Sequence, residues 1–326
     1  MIGAFLTALF FAGNAVCARR AALHYGGTTG NFLRLLLAVA LLGAWAHAAG
    51  QGAGGGAFAW FFVSGAVGFG LGGLTMFHAL PLIGSNLSML IVQCGMAVAG
   101  ALTEWLWLGA RLSAVQVGLA ALTLVGVIIG LAAVDPPRRS HFPSHGTTRP
   151  PIVDLLPHSV WVDRPGFALG IVLAIVSACA QGGSAVMSRK AFGVLHAHGF
   201  FMDGATSAYQ RALGGLAVGT LALLVVRWWP AGPVAGEADS DSSLPVGPPP
   251  WVWVVLNTLL GPVLGVTCYQ WALRTNQAGI VLPIVATAPL LTAPISRAIE
   301  GSWPARRYWI GAVLAVAGAA GLAISK

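Results

Sequence analysis

Residues 13–21 read GNAVCARRA and residues 183–191 read GSAVMSRKA, so one motif occurs twice in the chain, 170 residues apart. Five of its nine positions are identical, and both copies carry two adjacent basic residues near their end. A shift of 177 places Arg34 on Arg211, each at the start of an apolar run. A shift of 193 superimposes Trp60, Gly68, Leu71, Gly72, Ala79 and Leu80 on Trp253, Gly261, Leu264, Gly265, Ala272 and Leu273. We therefore predict two related copies of one structural unit.

The amino-acid composition places these units in a lipid bilayer. Of the 326 residues, 57% are hydrophobic and 8% are charged, whereas about 25% of residues in soluble domains are charged. The net charge of +8 does not indicate a nucleic-acid partner, because the 17 Lys and Arg residues are scattered between apolar stretches. The four cysteines are widely separated and form no CxxC pair, so we expect no metal site and no cofactor.

Ten apolar windows have the length of about 20 residues that a membrane-spanning helix needs. We predict helices near residues 2–18, 31–49, 57–79, 82–103, 113–134, 166–187, 205–226, 251–272, 279–298 and 306–324. A polar linker at 136–164 separates a first unit, residues 1–135, from a second unit, residues 165–326, with five helices in each. Because five is odd, the second unit enters the membrane from the opposite side. The predicted fold is an all-α integral membrane protein made of two inverted five-helix repeats.

This arrangement resembles the EamA family of the drug/metabolite transporter superfamily. The resemblance rests on Arg34 at the start of the second helix, on ALPLIGSNL at 79–87 and on LGARLSAVQVG at 108–118, and it covers nearly the whole chain. The family's turn before helix 5 usually carries an acid where this chain has Ala110, so no role for that acid is carried over. The resemblance implies ten helices in two inverted repeats and a carrier of small metabolites, without naming the substrate.

Polar residues inside the predicted spans are candidates for a substrate site, because each needs a partner where water is absent. In carriers with inverted repeats the site lies near the bilayer midplane, where equivalent positions of the two units face each other. We predict that the substrate contacts Asn14, Thr75, His78, Asn86, Gln93, Gln181, Ser184, Tyr269, Gln270, Trp271 and Thr287. A hydrogen bond to a neighbouring helix is the alternative for each, and His78 has proton relay as a third option.

Four charged residues in or beside the spans are candidates for coupling or anion binding. Arg34 and Arg211 either anchor their helices at the membrane interface, which we favour, or bind a carboxylate or phosphate group. Glu104 and Glu300 are expected at helix ends near water, with a role in coupling as the alternative.

Residues 68–73, GFGLGG, superficially match a dinucleotide-binding fingerprint, but they lie inside an apolar span with no strand before them. Gly68 and Gly72 recur as Gly261 and Gly265 with the same spacing of four. Small residues at this spacing let two helices approach closely. We therefore predict close helix packing at both pairs.

Loop charges and the resemblance disagree about membrane orientation. The predicted side that holds both termini carries five basic residues and the opposite side carries nine, which would place the termini outside the cell. The resemblance implies cytoplasmic termini, and we follow it.

We predict a secondary transporter of the inner membrane that moves small organic metabolites by alternating access. Amino acids or related compounds, moving in the export direction, are the favoured substrates, and the expected partners are this substrate and the bilayer, with a monomer plausible. Two other functions stay open. A membrane-embedded enzyme acting on a lipid-linked substrate needs clustered acids or histidines, for which His141, His145, Asp154 and His158 are weak candidates. A membrane scaffold would use the polar groups only to join helices.

Overall fold

The computed structural model describes residues 2–108, 113–132, 166–228, 248–275, 281, 284–301 and 303–325, and its regular elements in these ranges are helices. The loop residues His141, His145, Asp154 and His158 lie outside the described part, as does Ala110. The helices are α1 Ile2–Tyr25, α2 Gly27–Ala48, α3 Phe58–Gly65, α4 Gly73–Met89, α5 Gly95–Leu108, α6 Ala114–Ala132, α7 Phe167–Ala197, α8 Gly204–Trp228, α9 Pro250–Thr258, α10 Leu264–Thr275, α11 Ala288–Glu300 and α12 Arg306–Ile324.

Within the described residues, six helical runs are long and apolar enough to cross a membrane, and Ala114–Gly130 is a shorter apolar helix. One run, Phe58–Trp107, has 50 residues. At about 1.5 Å per residue it is more than twice as long as the roughly 30 Å hydrocarbon core. The run bends at Gly84, whose φ of 81° and ψ of 164° are not helical, three residues after Pro81. It therefore consists of two helical segments, while the total of ten helices and the inversion stay predictions.

Helices α1 and α7 are longer than predicted. The apolar windows end at residues 18 and 187, whereas the helices continue to Tyr25 and Ala197. Hydropathy falls at the basic pair that follows each window, but Arg and Lys are good helix formers. In the structure Arg19 and Arg189 each pair with a glutamate, which gives both charges a partner although the side chains are 27% and 40% exposed.

Short π-helical segments interrupt equivalent parts of the two units. One covers Ala66–Gly72 between α3 and α4, and another covers Leu259–Val263 between α9 and α10. The shift of 193 carries residue 66 onto 259, so the two segments begin at matching positions. A third segment, Leu90–Cys94, lies between α4 and α5. Segments of this kind locally unwind a helix and are frequent at functional sites.

The predicted close packing at the paired glycines is confirmed. A side chain at any of the four would press against a neighbouring helix. The contacts are Gly68 with Ser184, Gly72 with Gln181, Gly261 with Asn14, and Gly265 with Phe11. Helices α6 and α12 also pack closely, because a Cβ atom at Gly126 or Gly311 would overlap the backbone of the other helix. Close approach at small residues is the packing expected in lipid.

Candidate functional site

A small cavity lies among α1, α5, α7, α8, α10 and the first π-helical segment. Residues predicted in both units line it: Phe11, Gly68, Phe69 and Met96 from the first, and Gln181, Ala185, Arg211, Val266 and Tyr269 from the second. It has about 30 Å³ of space for the centre of a water-sized molecule, which is room for a few waters or one small polar group. Its wall combines apolar side chains with one amide, one phenol and one guanidinium.

The guanidinium belongs to Arg211, which α8 holds against the π-helical segment. The side chain is only 5% exposed, and its guanidinium carbon lies 4.9 Å from the centre of the Phe69 ring. Its Nη2 donates a hydrogen bond to Ser184 Oγ at 2.8 Å. Among the described residues, Nε and Nη1 have no hydrogen-bond partner and no carboxylate pairs with the group. A full positive charge is thus buried with most of its donors unused.

Arg34, the equivalent residue of the first unit, is held differently. It is 6% exposed, and its guanidinium carbon lies 4.6 Å from the centre of the Phe77 ring. Its Nε donates to Asn31 Oδ1 at 3.0 Å, three residues earlier in the same helix. The shift of 177 places Ala208 where Asn31 stands, and alanine has no acceptor in its side chain. This difference in sequence explains why Nε is paired in Arg34 and unpaired among the described residues in Arg211.

Neighbouring helices cover both arginine side chains, so Arg34 and Arg211 lie inside the protein. Anchoring at the membrane interface, which we favoured, stays a prediction. A hydropathy window shows where along a helix an arginine lies, but not which face of the helix carries it. The alternative of anion binding stays a prediction for both.

Two further polar groups face the cavity with Arg211. Tyr269, on α10, is 5% exposed, and its hydroxyl has no hydrogen-bond partner among the described residues. Gln181, on α7, donates from Nε2 to Ser177 Oγ at 2.9 Å in the same helix. A buried donor without a partner costs about 1–3 kcal/mol, so the Tyr269 hydroxyl adds nothing to stability in this position.

Equivalent polar residues also join helices of the two predicted units. Ser64 Oγ donates to the Ser184 carbonyl at 2.8 Å, and Ser184 Oγ donates back to the Ser64 carbonyl at 2.8 Å. In the other copy Asn257 Nδ2 donates to the Asn14 carbonyl at 3.2 Å and also contacts Asn14 Oδ1. The shift of 193 relates Ser64 to Asn257, and the shift of 170 relates Asn14 to Ser184. Asn14 and Ser184 thus serve helix packing in this structure.

Two ion pairs also follow the repeat. Arg19 Nη1 lies 3.1 Å from Glu300 Oε1, which joins α1 to α11. Arg189 pairs with Glu104, which joins α7 to α5. The shift of 170 places Arg19 on Arg189. The shift of 193 places Glu104 on residue 297, three positions before Glu300. The Glu300 carboxylate also accepts from Ser85 Oγ at 2.9 Å, so it is a paired group and not a free carboxylate in water.

The other predicted contacts lie away from the cavity lining. Thr75 and Thr287 donate to backbone carbonyls of their own segments, those of Leu71 and Ile284. Asn86 donates to Ser296 on another helix. His78 bonds the Leu74 carbonyl and is exposed, and Trp271 is 42% exposed. Gln93 and Gln270 are buried, and Gln93 Oε1 and both amide atoms of Gln270 have no partner among the described residues. Of the eleven residues predicted to contact substrate, the structure brings Gln181 and Tyr269 to the cavity wall.

Sequence reasoning missed the apolar part of the wall. Phe11, Phe69, Met96, Ala185 and Val266 are ordinary members of apolar spans, and no local feature distinguishes them from lipid-facing residues. Only Phe69 carried a signal, because it lies between the repeated glycines Gly68 and Gly72. Which apolar residues face inward depends on how the helices pack.

Comparisons with known proteins match this architecture. The sequence profile of the EamA-like transporter family matches residues 1–131 and 168–324. No curated protein matches the chain. One solved crystal structure is similar to it with a TM-score of 0.52 and 21% sequence identity, over 97% of this chain and 95% of that chain. At this identity the similarity concerns the fold alone.

Proposed function

Because the chain belongs to the EamA-like transporter family of the drug/metabolite transporter superfamily, we propose that it is a secondary transporter of small organic metabolites. Amino acids or related compounds are the proposed substrates, with export as the favoured direction. The proposed location is the inner membrane, with both termini in the cytoplasm. Members of the family are transporters and not enzymes, which argues against the alternative of an enzyme acting on a lipid-linked substrate.

The observation that carries this proposal is the cavity with Arg211 in its wall. Burying a cation inside a membrane protein is costly unless it is paired, and such residues tend to mark a substrate or ion pathway. Residues from both predicted units line the cavity, as expected for a site between two moving bodies. A scaffold would gain nothing from an unpaired buried charge.

The proposed mechanism is alternating access by rocking of the two units about this cavity. If the units are inverted, Arg19–Glu300 and Arg189–Glu104 lie toward opposite membrane faces. Opening toward one face then breaks one ion pair and keeps the other. The π-helical segments at Ala66–Gly72 and Leu259–Val263 are suitable bending points, since each adjoins a close helix contact.

Uptake by proteoliposomes tests the proposal. Purified protein is reconstituted and offered a panel of labelled amino acids, organic acids and other small metabolites, with and without a proton gradient. Saturable, protein-dependent accumulation of at least one compound is expected. The absence of uptake of every compound by folded protein would contradict a transport function.

The scaffold alternative requires a variant that changes the cavity and removes no strong hydrogen bond between helices. Gln181→Ala is suitable, because among the described residues the Gln181 amide donates to Ser177 in its own helix and otherwise only to the Met76 sulfur 3.9 Å away. A carrier is expected to lose flux in this variant without losing thermal stability. Asn14→Ala is the matched control, because Asn14 joins α1 to α9 and its loss is expected to lower stability.

A further inference from the structure

Three observations at the cavity point to one class of ligand. Arg211 has unpaired Nε and Nη1 groups, the Tyr269 hydroxyl is unpaired among the described residues, and both side chains line the same cavity. Each is 5% exposed, so protein covers them on other sides. All the unsatisfied atoms are donors, except that the phenol can also accept. An arrangement of donors around a fixed positive charge is complementary to an anion.

We propose that this cavity binds the carboxylate of an apolar organic monocarboxylate, with Arg211 as its counter-ion and the Tyr269 hydroxyl as a second donor. The inference rests on the proposed transport function and narrows its substrate class. Arg211 Nη2 gives one hydrogen bond to Ser184, which leaves its second hydrogen available. A carboxylate can therefore take a two-pronged hydrogen bond from Nη2 and either Nη1 or Nε. Ser184 holds the guanidinium in place for this contact.

The charge of the site favours a monocarboxylate over a phosphate ester. Arg211 is the one cationic side chain among the described lining residues, and none of these residues is acidic. A single carboxylate neutralises the site, whereas a phosphate dianion leaves one negative charge buried and unbalanced. A zwitterionic amino acid brings an ammonium group that finds no carboxylate in this wall. Among amino acids and related compounds, those without a free ammonium group therefore fit best.

The other residues that line the cavity are complementary to the apolar part of the ligand. Phe11, Met96 and Val266 present hydrocarbon or thioether surface beside the polar groups. One face of Phe69 is covered by the Arg211 guanidinium, which fixes the cation by stacking. As described, the cavity holds little more than the carboxylate, so Phe11 and Met96 must move apart before the body of the ligand packs against them.

Binding to the purified full-length protein in detergent tests this proposal separately from transport. The probe is 3-phenylpropanoate, and its uncharged analogue 3-phenylpropanamide is the matched control ligand. Affinity is measured by calorimetry for wild-type protein, Arg211→Gln and Tyr269→Phe, with folding checked by gel filtration and thermal unfolding. The wild type is expected to prefer the acid to the amide by at least about tenfold, since a charge-assisted hydrogen bond contributes about 1.5–3 kcal/mol.

The two variants should change this preference in different ways. Arg211→Gln is expected to abolish the preference for the acid. Tyr269→Phe should weaken binding of the acid by about five- to tenfold without lowering thermal stability, because the hydroxyl it removes has no partner among the described residues. If Arg211→Gln does not fold, Tyr269→Phe alone decides the matter. An unchanged acid-to-amide ratio in a folded variant would overturn the proposal.

L-phenylalanine has the same skeleton with an added ammonium group and tests the narrower claim. Weaker binding of phenylalanine than of 3-phenylpropanoate supports a site for monocarboxylates, and equal or tighter binding contradicts it. Arginine-dependent binding without flux would refute transport but keep the anion site. Flux of some compound, with no binding of the acid, would keep transport and refute the anion site.

Discussion

Arg34 and Arg211 occupy equivalent places in the two predicted repeats, yet their surroundings differ. Each is buried and stacked on a phenylalanine ring. The guanidinium carbon lies 4.6 Å from the centre of the Phe77 ring in Arg34 and 4.9 Å from the centre of the Phe69 ring in Arg211. Arg34 bonds Asn31 within its own helix. Arg211 bonds Ser184 across to α7, and two of its nitrogens have no partner in the described part of the chain. The repeat has kept the structural role of the arginine in both copies. The two copies therefore differ in which donor is paired, and of the two arginines it is Arg211 that lines the cavity.

The largest effect is expected when each arginine is replaced by methionine, which keeps the length of the side chain without its charge. Arg34→Met leaves Asn31 Oδ1 without its donor, and we expect the free energy of unfolding to fall by about 1–3 kcal/mol. Arg211→Met removes an unpaired buried charge while Ser184 keeps its bonds to Ser64, so stability is expected to match or exceed the wild type. Thermal unfolding followed by tryptophan fluorescence measures both. Equal losses in the two variants would contradict the difference described here.

An intermediate effect is expected from transferring the asparagine between the repeats. Ala208→Asn places an amide three residues before Arg211, as Asn31 stands before Arg34. Its oxygen should accept from Arg211 Nε and compete with a bound carboxylate, which lowers the affinity for 3-phenylpropanoate by about tenfold. Calorimetry on protein that elutes as a single folded species provides the measurement. The reciprocal Asn31→Ala is the control, in which we expect lower stability and little change in the affinity for 3-phenylpropanoate. An Ala208→Asn protein that binds 3-phenylpropanoate like the wild type would argue against a role for Arg211 Nε.

The smallest effect concerns the starts of the two helices that carry these arginines. Asp203 caps α8, since its Oδ1 accepts from the backbone nitrogens of Ala205 and Thr206 at 2.9 Å, whereas the equivalent residue before α2 is Gly26. Burial acts to raise the pKa of the Asp203 carboxyl, but hydrogen bonds from Thr206 and Ala205 outweigh it and hold the pKa below its usual value. The stability from this cap is therefore complete above the ordinary pKa of about 3.9 and is lost as the pH falls through the lower folded-state pKa.

Asp203→Asn tests this cap, because asparagine caps a helix without titrating. Between pH 7 and pH 3, the wild type is expected to lose somewhat more stability than the variant, by less than about 1 kcal/mol. Thermal unfolding across this range gives the comparison. A variant that is as sensitive to acid as the wild type would show that the carboxylate does not contribute.

The helical membrane class and the family were predictable from residue order, but the contents of the cavity were mostly not. The motif at 13–21 and its copy at 183–191 indicated that Asn14 and Ser184 are equivalent, and the structure shows both at helix contacts. It did not indicate that Arg211, rather than either of them, reaches the cavity. The burial of Arg34 and Arg211 was missed because apolar windows report average polarity along a helix and not which face is covered.

Membrane insertion, the repeat and the close packing at Gly68 and Gly261 depend on residue type and spacing, and these are properties of the chain alone. The cavity, the unpaired Arg211 and Tyr269 and the pairing of Arg19 with Glu300 required the packed helices. The mean hydropathy of a segment, which decides its insertion into the membrane, is a sum over its own residues and does not depend on the helices around it. A hydrogen bond exists only when two particular faces meet, and residues far apart in sequence decide that together.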